Sequence, residues 1–242
     1  MRRNVLLPYL VSLVLTGGVF HTALMAQTDN TFNWNTLRDV RLDRNWLNSE
    51  NPAGLHAFGQ GTESEIVLYG KGGYGGLKDY FLSKNETAFG VEASSMARLS
   101  RRVVVGGQVG YRNVSSKDIA GSYFIDPTQT PFDLVEFTDA NAGDKTLEEF
   151  SLQGGVGVNL ARWVSLGASL DYKAANYSKR KDLRHVNSLM DMDLVLGGVF
   201  HAGERVDIGL NYVYRRRNET LLLSTYGTQD KTFVSLLNYG AF

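Results

Sequence analysis

An all-β, antiparallel, up-and-down transmembrane β-barrel of about eight strands is the fold this sequence predicts. Three observations point to it. Apolar and polar residues alternate over long stretches, short and long connections alternate between those stretches, and the chain opens on an export signal. The signal comes first. Met1-Arg2-Arg3-Asn4 is basic, VLLPYLVSLVL is apolar, and the stretch ends at ALMAQ, which sets cleavage near Ala26. Pro8, Gly17 and Gly18 interrupt a run already short for a spanning helix. The chain has 25 basic and 25 acidic residues, so no electrostatic case exists for nucleic acid as a partner. Cysteine is absent, which removes disulfides, thiolate metal sites and a lipid-modified cysteine.

The strands follow in order. Ile66-Leu68-Gly70 to Tyr74 reads as the first. A hairpin follows, Phe89-Val91-Ala93 to Leu99 and back through Val103-Val105-Gly107-Val109-Tyr111. The clearest alternation runs from Phe150 to Tyr172: Phe150, Leu152, Val156, Val158 and Leu160, then Val164, Leu166, Ala168, Leu170 and Tyr172. Side chains alternate faces along a strand, so this parity makes one face apolar and leaves Ser151, Gln153, Gly155, Ser169 and Asp171 on the other. Met190 to Phe200 and Val206 to Tyr214 repeat the pattern, and the tail from Lys231 to Phe242 supplies a last strand.

Leu99-Ser-Arg-Arg-Val103, Leu160-Ala-Arg-Trp-Val164 and His201-Ala-Gly-Glu204 are short turns. Gly75 to Asn85, Val114 to Thr146, Ser178 to Asn187, and Arg215 to about Asp230 are long loops. Strict alternation of the two puts turns at one end and loops at the other, as in outer-membrane barrels. A soluble sandwich or lipocalin-like barrel shares the parity. Against it stand stripes of about 9–11 residues, the length a tilted strand needs to cross a bilayer, and aromatics near strand ends.

The segments "DPTQTPFDLVEF", "EEFSLQGGVGVNLARWVSLGASLDYKAANYS" and "KRKDLRHVNSLMDMDLVLGGVF" resemble an uncharacterised outer-membrane β-barrel family, domain-of-unknown-function family 6850, from about Trp46 to Tyr214. Asp182, Arg184, Asn187 and Asp191 stand in that family's loop pattern, with His185 where the family has proline. The resemblance implies the outer-membrane location and the fold, and no activity. Family members are longer, so the chain is expected to be a shortened relative with a closed small barrel or the amino-terminal part of a larger one. Asn51-Pro52-Ala53-Gly54 is similar to the start of fatty-acid channels and PorV-like shuttles, where the segment before strand one folds into the barrel as a hatch. The other reading is an ordinary periplasmic lead-in. The expected organisation is therefore a signal over residues 1–26, a lead-in or hatch over 27–62, and a barrel over 63–242.

Chemistry is sparse. His21 leaves with the signal, His56 lies beside the hatch turn, His185 falls in a loop and His201 in a turn. No zinc-protease or hydrolase-elbow motif occurs, and Asp182, His185 and Ser188 are the one candidate nucleophilic set. Asp126, Asp133, Glu136, Asp139, Asp144, Glu148 and Glu149 make the longest loop acidic; solvation is expected there, with calcium as the alternative. Glu92, Gln108, Arg112, Asp171, Lys173, Asp191, Asp193, Arg205 and Asp207 are expected to face the lumen, beside Arg98. Those charges would pair and block a small barrel, or line a channel in a larger one.

The expected function is passage or binding of a ligand at the bacterial outer membrane, without catalysis, metal or cofactor, as an accessory to an uptake or secretion machine. The alternative is a structural or interaction barrel with a plugged lumen whose extracellular loops bind a partner, and a barrel enzyme ranks third. Outer-membrane lipid is the expected surrounding, with a small molecule or protein at the extracellular loops.

Overall fold

The computed structural model describes residues 46–59, 61–75, 83–136, 142–203, 206–226 and 234–237. The signal, residues 27–45, Asp139, Asn141 and Arg205 lie outside them. A 3-10 helix at Pro52–Ala57 precedes the strands β1 (Thr62–Tyr74), β2 (Asn85–Arg98) and β3 (Val103–Ile119). Short strands β4 (Gly121–Ser122) and β5 (Phe132–Glu136) follow, then the long strands β6 (Gly143–Ala161), β7 (Val164–Lys179), β8 (Arg184–Ala202) and β9 (Val206–Ser224), and finally β10 (Val234–Leu237).

Seven strands form one antiparallel sheet in the order β1-β2-β3-β6-β7-β8-β9. Among the described residues β1 and β9 are its edges. The fold is all-β and antiparallel; the described sheet has seven strands where about eight were expected. The described part of the tail, Val234–Leu237, does not join this sheet. β10 pairs with β5, and β5 with β4, in a separate three-stranded sheet that we call the lid.

The strands outrun the apolar parity. β3 continues to Ile119, β6 starts at Gly143, β8 at Arg184, and β9 runs to Ser224, so three of the expected long loops are much shorter. Beyond the apolar stripes the backbone ladder continues with polar side chains on both faces, a stretch to which hydrophobic periodicity is blind. A register shift between Ser116 and Ile119, with Asp118 at φ 49°, ends β3, and Gly121 at φ 82° turns the chain into the lid.

The lid is tied down by buried charge. Lys179 Nζ, from β7, donates to Glu136 Oε2 of β5 at 2.5 Å, and both side chains are fully buried. Lys145 Nζ, from β6, donates to the Ser122 carbonyl of β4 at 2.7 Å. This corrects the expectation of a solvated acidic loop, because Asp133 and Glu136 are both buried. Asp126 caps a 3-10 turn at Pro127–Gln129, Asp144 accepts from the Asp118 N–H, and Glu149 pairs with Arg112.

Removing one partner of a buried pair strands the other charge, while removing both does not. Lys179→Met should therefore cost about 3–5 kcal/mol and raise hydrogen exchange across Gly121–Glu136, whereas Lys179→Met with Glu136→Leu should recover most of the loss.

Candidate functional site

The inner face of the sheet is organised in rows, each row being residues paired across neighbouring strands. One row is Ser94, Gln108, Gln153, Asp171, Asp193 and Arg215. The next toward the lid is Glu92, Gly110, Ser151, Lys173, Asp191 and Arg217. Thus Glu92, Gln108, Asp171, Lys173, Asp191 and Asp193 share one face, with Arg112 on the row beyond Glu92 and Asp207 on the same face at the turn end, opposite His201. They pair among themselves. Arg215 holds Asp193 with Nε at 2.7 Å and Nη2 at 2.5 Å, and Arg217 holds Asp191 at 3.2 Å. Arg112 reaches Glu149 at 3.0 Å, Gln153 donates to Asp171 at 2.7 Å, and Gln108 donates to Glu92 at 3.3 Å.

Toward the turns the rows lose their side chains. Gly157, Gly167 and Gly197 stand side by side on β6, β7 and β8. The Asn51-Pro52-Ala53-Gly54 turn lies directly on them. A Cβ on Gly167 would sit 2.3 Å from Ala53 N, one on Gly197 2.0 Å from Asn51 Oδ1, and one on Gly157 2.8 Å from Leu55 Cβ. Glycine is required here for close approach of backbone to backbone.

We call residues 46–59 the plug. Asn51 is its anchor: Oδ1 accepts from Ala53 N at 3.0 Å, and Nδ2 donates to the carbonyls of Gly198 and Leu210 at 3.0 and 3.2 Å. Pro52 begins the 3-10 turn, where its missing N–H costs nothing. Gly54 admits the Trp46 carbonyl, which would lie 2.1 Å from a Cβ there. At the far end the Arg98 guanidinium binds the carbonyls of His56, Phe58 and Gly59. Phe58 packs with Met96 and Val104 of the inner face, and Leu47 and Leu55 flank that cluster.

A second polar array ties the plug to the turn end. Trp46 Nε1 donates to Asp207 Oδ2 at 3.0 Å, Asp207 Oδ1 lies 2.7 Å from His201 Nδ1, and His201 Nε2 lies 3.1 Å from Ser165 Oγ. The His56 ring meets the His201 ring edge-on at 4.9 Å. Serine, histidine and aspartate in line have the order of a hydrolytic triad. Ser165 is only 1% exposed, however, and donates to Asn159 Oδ1 at 2.8 Å, so the array serves as an anchor. The sequence reading placed His201 in a turn and missed this array.

Between plug and sheet lies a cavity of about 670 Å³. Its lining combines apolar Leu47, Leu55, Met96 and Val195 with polar Gln108, Gln153, Ser169, Asp171 and the Asp193–Arg215 pair.

Under the lid, His185 is fully buried on β8, which corrects its expected place in a loop. Its Nδ1 lies 2.8 Å from Asn187 Oδ1, and Asn187 Nδ2 donates to the Tyr123 carbonyl and to Glu219. These groups lie beyond the loop-side limit of the apolar stripes, at Phe150 on β6 and Met190 on β8. Burial pushes His185 down to about 4, with Lys145 acting in the same direction. Burial also pushes Lys145 down to about 7, helped by Lys179. Burial beside Glu136 pushes the Tyr123 hydroxyl up.

Asp182, His185 and Ser188 do not converge. Asp182 accepts from Arg184 and from the Tyr226 N–H, while Ser188 donates to Asn176 on the opposite face from His185. Of the loop pattern, Asp182 and Arg184 pair at 3.0 Å, whereas Asn187 sits within β8. Among the described residues no three histidine, aspartate or glutamate side chains group closely enough to hold a metal.

Gly197→Ala should drive Asn51 off the sheet. Cleavage within residues 46–59 by a protease should then quicken about tenfold, the equivalent of ~1.4 kcal/mol. Asn51→Ala, which removes its bonds to Ala53, Gly198 and Leu210, should do the same at about 1–3 kcal/mol.

No curated protein and no solved structure matches the chain. The profile of a family of unknown function, DUF6850, matches residues 52–241, and the chain belongs to that family.

Proposed function

We propose that the chain is an exported outer-membrane β-barrel protein that holds a ligand in its lumen and passes it across the membrane. The observation that carries the reading is the opposition of the two faces. Outward, large apolar side chains stand exposed across the sheet, among them Ile66, Phe89, Val109, Leu152, Leu166, Leu196 and Leu210. An apolar surface of that extent calls for a partner, and a lipid bilayer fits its even height. Inward, the paired charges, the plug and the cavity would be the furniture of a lumen. Tyr111, Phe150, Tyr172 and Tyr214 end their stripes on the loop side and Trp163 and Phe200 on the turn side, where aromatic girdles would sit.

On this reading the turns face the periplasm, the lid faces outward, and residues 1–26 direct export. The plug acts as a hatch at the periplasmic end and the lid closes the outer mouth. The ligand waits between them and release requires the hatch to yield. An accessory place beside a larger uptake or secretion machine fits a barrel shut at both ends. Closure at both ends also favours a second reading, a structural barrel whose lid binds a partner. Catalysis forms no part of either.

Leu166→Arg, at mid-stripe, should cost about 2–4 kcal/mol in folding titrations with lipid vesicles, and Ser169→Arg on the opposite face much less. Equal penalties would remove the lipid-facing assignment. Deleting residues 46–58 should raise conductance in planar bilayers while the heat-sensitive gel mobility of a folded barrel persists. Unchanged conductance in a folded deletion variant would favour the second reading.

A further inference from the structure

We propose that the ligand of the cavity is a neutral, hydroxyl-rich molecule of oligosaccharide type. The inference rests on the proposed ligand-holding lumen and adds the chemistry of what is held. Its basis is the balance of donors, acceptors and charge around the cavity of about 670 Å³, a size within the range of about 300–1,000 Å³ typical of small-molecule sites.

Anionic ligands are disfavoured first. Among the described residues lining the cavity, Arg215 is the only cationic side chain. Its guanidinium is already committed, through Nε and Nη2, to the Asp193 carboxylate. A fatty-acid carboxylate or a phosphate would therefore find no unengaged cation and would meet Asp171 and Glu50 instead.

A purely apolar chain is disfavoured next. Gln108, Gln153 and Asp171 stand side by side in one register row of the lining. An acyl chain laid across them would exclude water from amide and carboxylate oxygens without replacing its hydrogen bonds, which is costly. Sugar hydroxyls replace them. Gln153 Nε2 donates to Asp171 and Gln108 Nε2 to Glu92, which engages one N–H of each amide and leaves the other able to donate to a ligand oxygen. Their carbonyl oxygens and the remaining Asp171 lone pairs can accept from ligand hydroxyls, while Ser49 and Ser169 can both donate and accept.

The other part of the lining suits the carbon skeleton. Leu47, Leu55 and Met96 offer apolar surface, and Trp46 is among the lining residues. The C–H face of a sugar ring packs on such surfaces while its hydroxyls point to the acceptor row. Trp46 also donates to Asp207, so a ligand that moves Trp46 acts directly on an anchor of the plug.

The test uses the full mature chain folded in detergent micelles, with Trp34→Phe and Trp163→Phe leaving Trp46 as the reporter. Its fluorescence is titrated with maltotriose, cellotriose, laurate and spermidine. A saturable change is expected with at least one trisaccharide. The affinity should fall about tenfold in Asp171→Asn and in Gln153→Leu, with mobility on unheated gels unchanged. Laurate or spermidine binding in place of both sugars would overturn the ligand class and leave the ligand-holding lumen standing. No response to any probe in a folded chain would overturn both. A sugar response unaffected by Asp171→Asn and Gln153→Leu would remove the binding from this row and overturn the site.

Discussion

Backbone can lie flat on a β-sheet only where the sheet presents no side chains, and the inner architecture depends on that one condition. Gly157, Gly167 and Gly197 meet it in adjacent strands. On the bare patch they create, Asn51-Pro52-Ala53-Gly54 comes within contact of the sheet itself, and Asn51 binds its carbonyls. The other contacts of the segment follow from that seat. Trp46 reaches Asp207 because Asn51 is fixed, and Phe58 meets Met96 because Arg98 holds the carbonyls on either side of it. A methyl group at one of these glycines touches the anchor, whereas a change at the plug's rim would touch only one tie.

The inner face is graded along the strands. Near the turns it is bare and covered by chain. At mid-height it carries amides and a paired carboxylate, with room left beside them. Above that, Arg112–Glu149 and Arg217–Asp191 span neighbouring strands. At the loop end Lys145 and Lys179 are buried beneath the lid. Each level is held differently, by close packing, by hydrogen bonds from amides to carboxylates, by partly exposed ion pairs and by fully buried charge. The costs of disturbing them differ accordingly, because the strength of a charge pair and the penalty for breaking it both rise with burial.

How much of this the sequence disclosed depends on the kind of signal. Parity placed Glu92, Asp171 and Asp193 on one face and Leu152 and Leu166 on the other, because a strand alternates whatever surrounds it. The glycine row was not within reach of a simple count. With Ala161 opposite Val164 across the turn at Arg162–Trp163, Gly157 would face Ala168; the register shift between Asn159 and Ala161 moves it opposite Gly167. The lid was not legible. Asp133, Glu136, Lys145 and Lys179 have the composition of a solvated loop, and only tertiary partners far along the chain make their burial tolerable. His185 shows the same limit, since its fully buried place depends on Tyr123 and Asn187, brought together by a fold-back that no local pattern announces.

The odd number of strands in the described sheet has a geometric consequence. In an antiparallel series, every second strand points the same way, so the two outermost of seven, β1 and β9, run in the same direction. Zipping one directly to the other would place a single parallel seam in an otherwise antiparallel cylinder. A seamless antiparallel cylinder requires an odd number of additional strands between them, whether from this polypeptide or another. On the proposed membrane reading, either solution must satisfy every amide and carbonyl on both edges, since hydrocarbon holds no water to do so. Direction along the chain, and not side-chain chemistry, therefore sets the count of strands that could close such a wall.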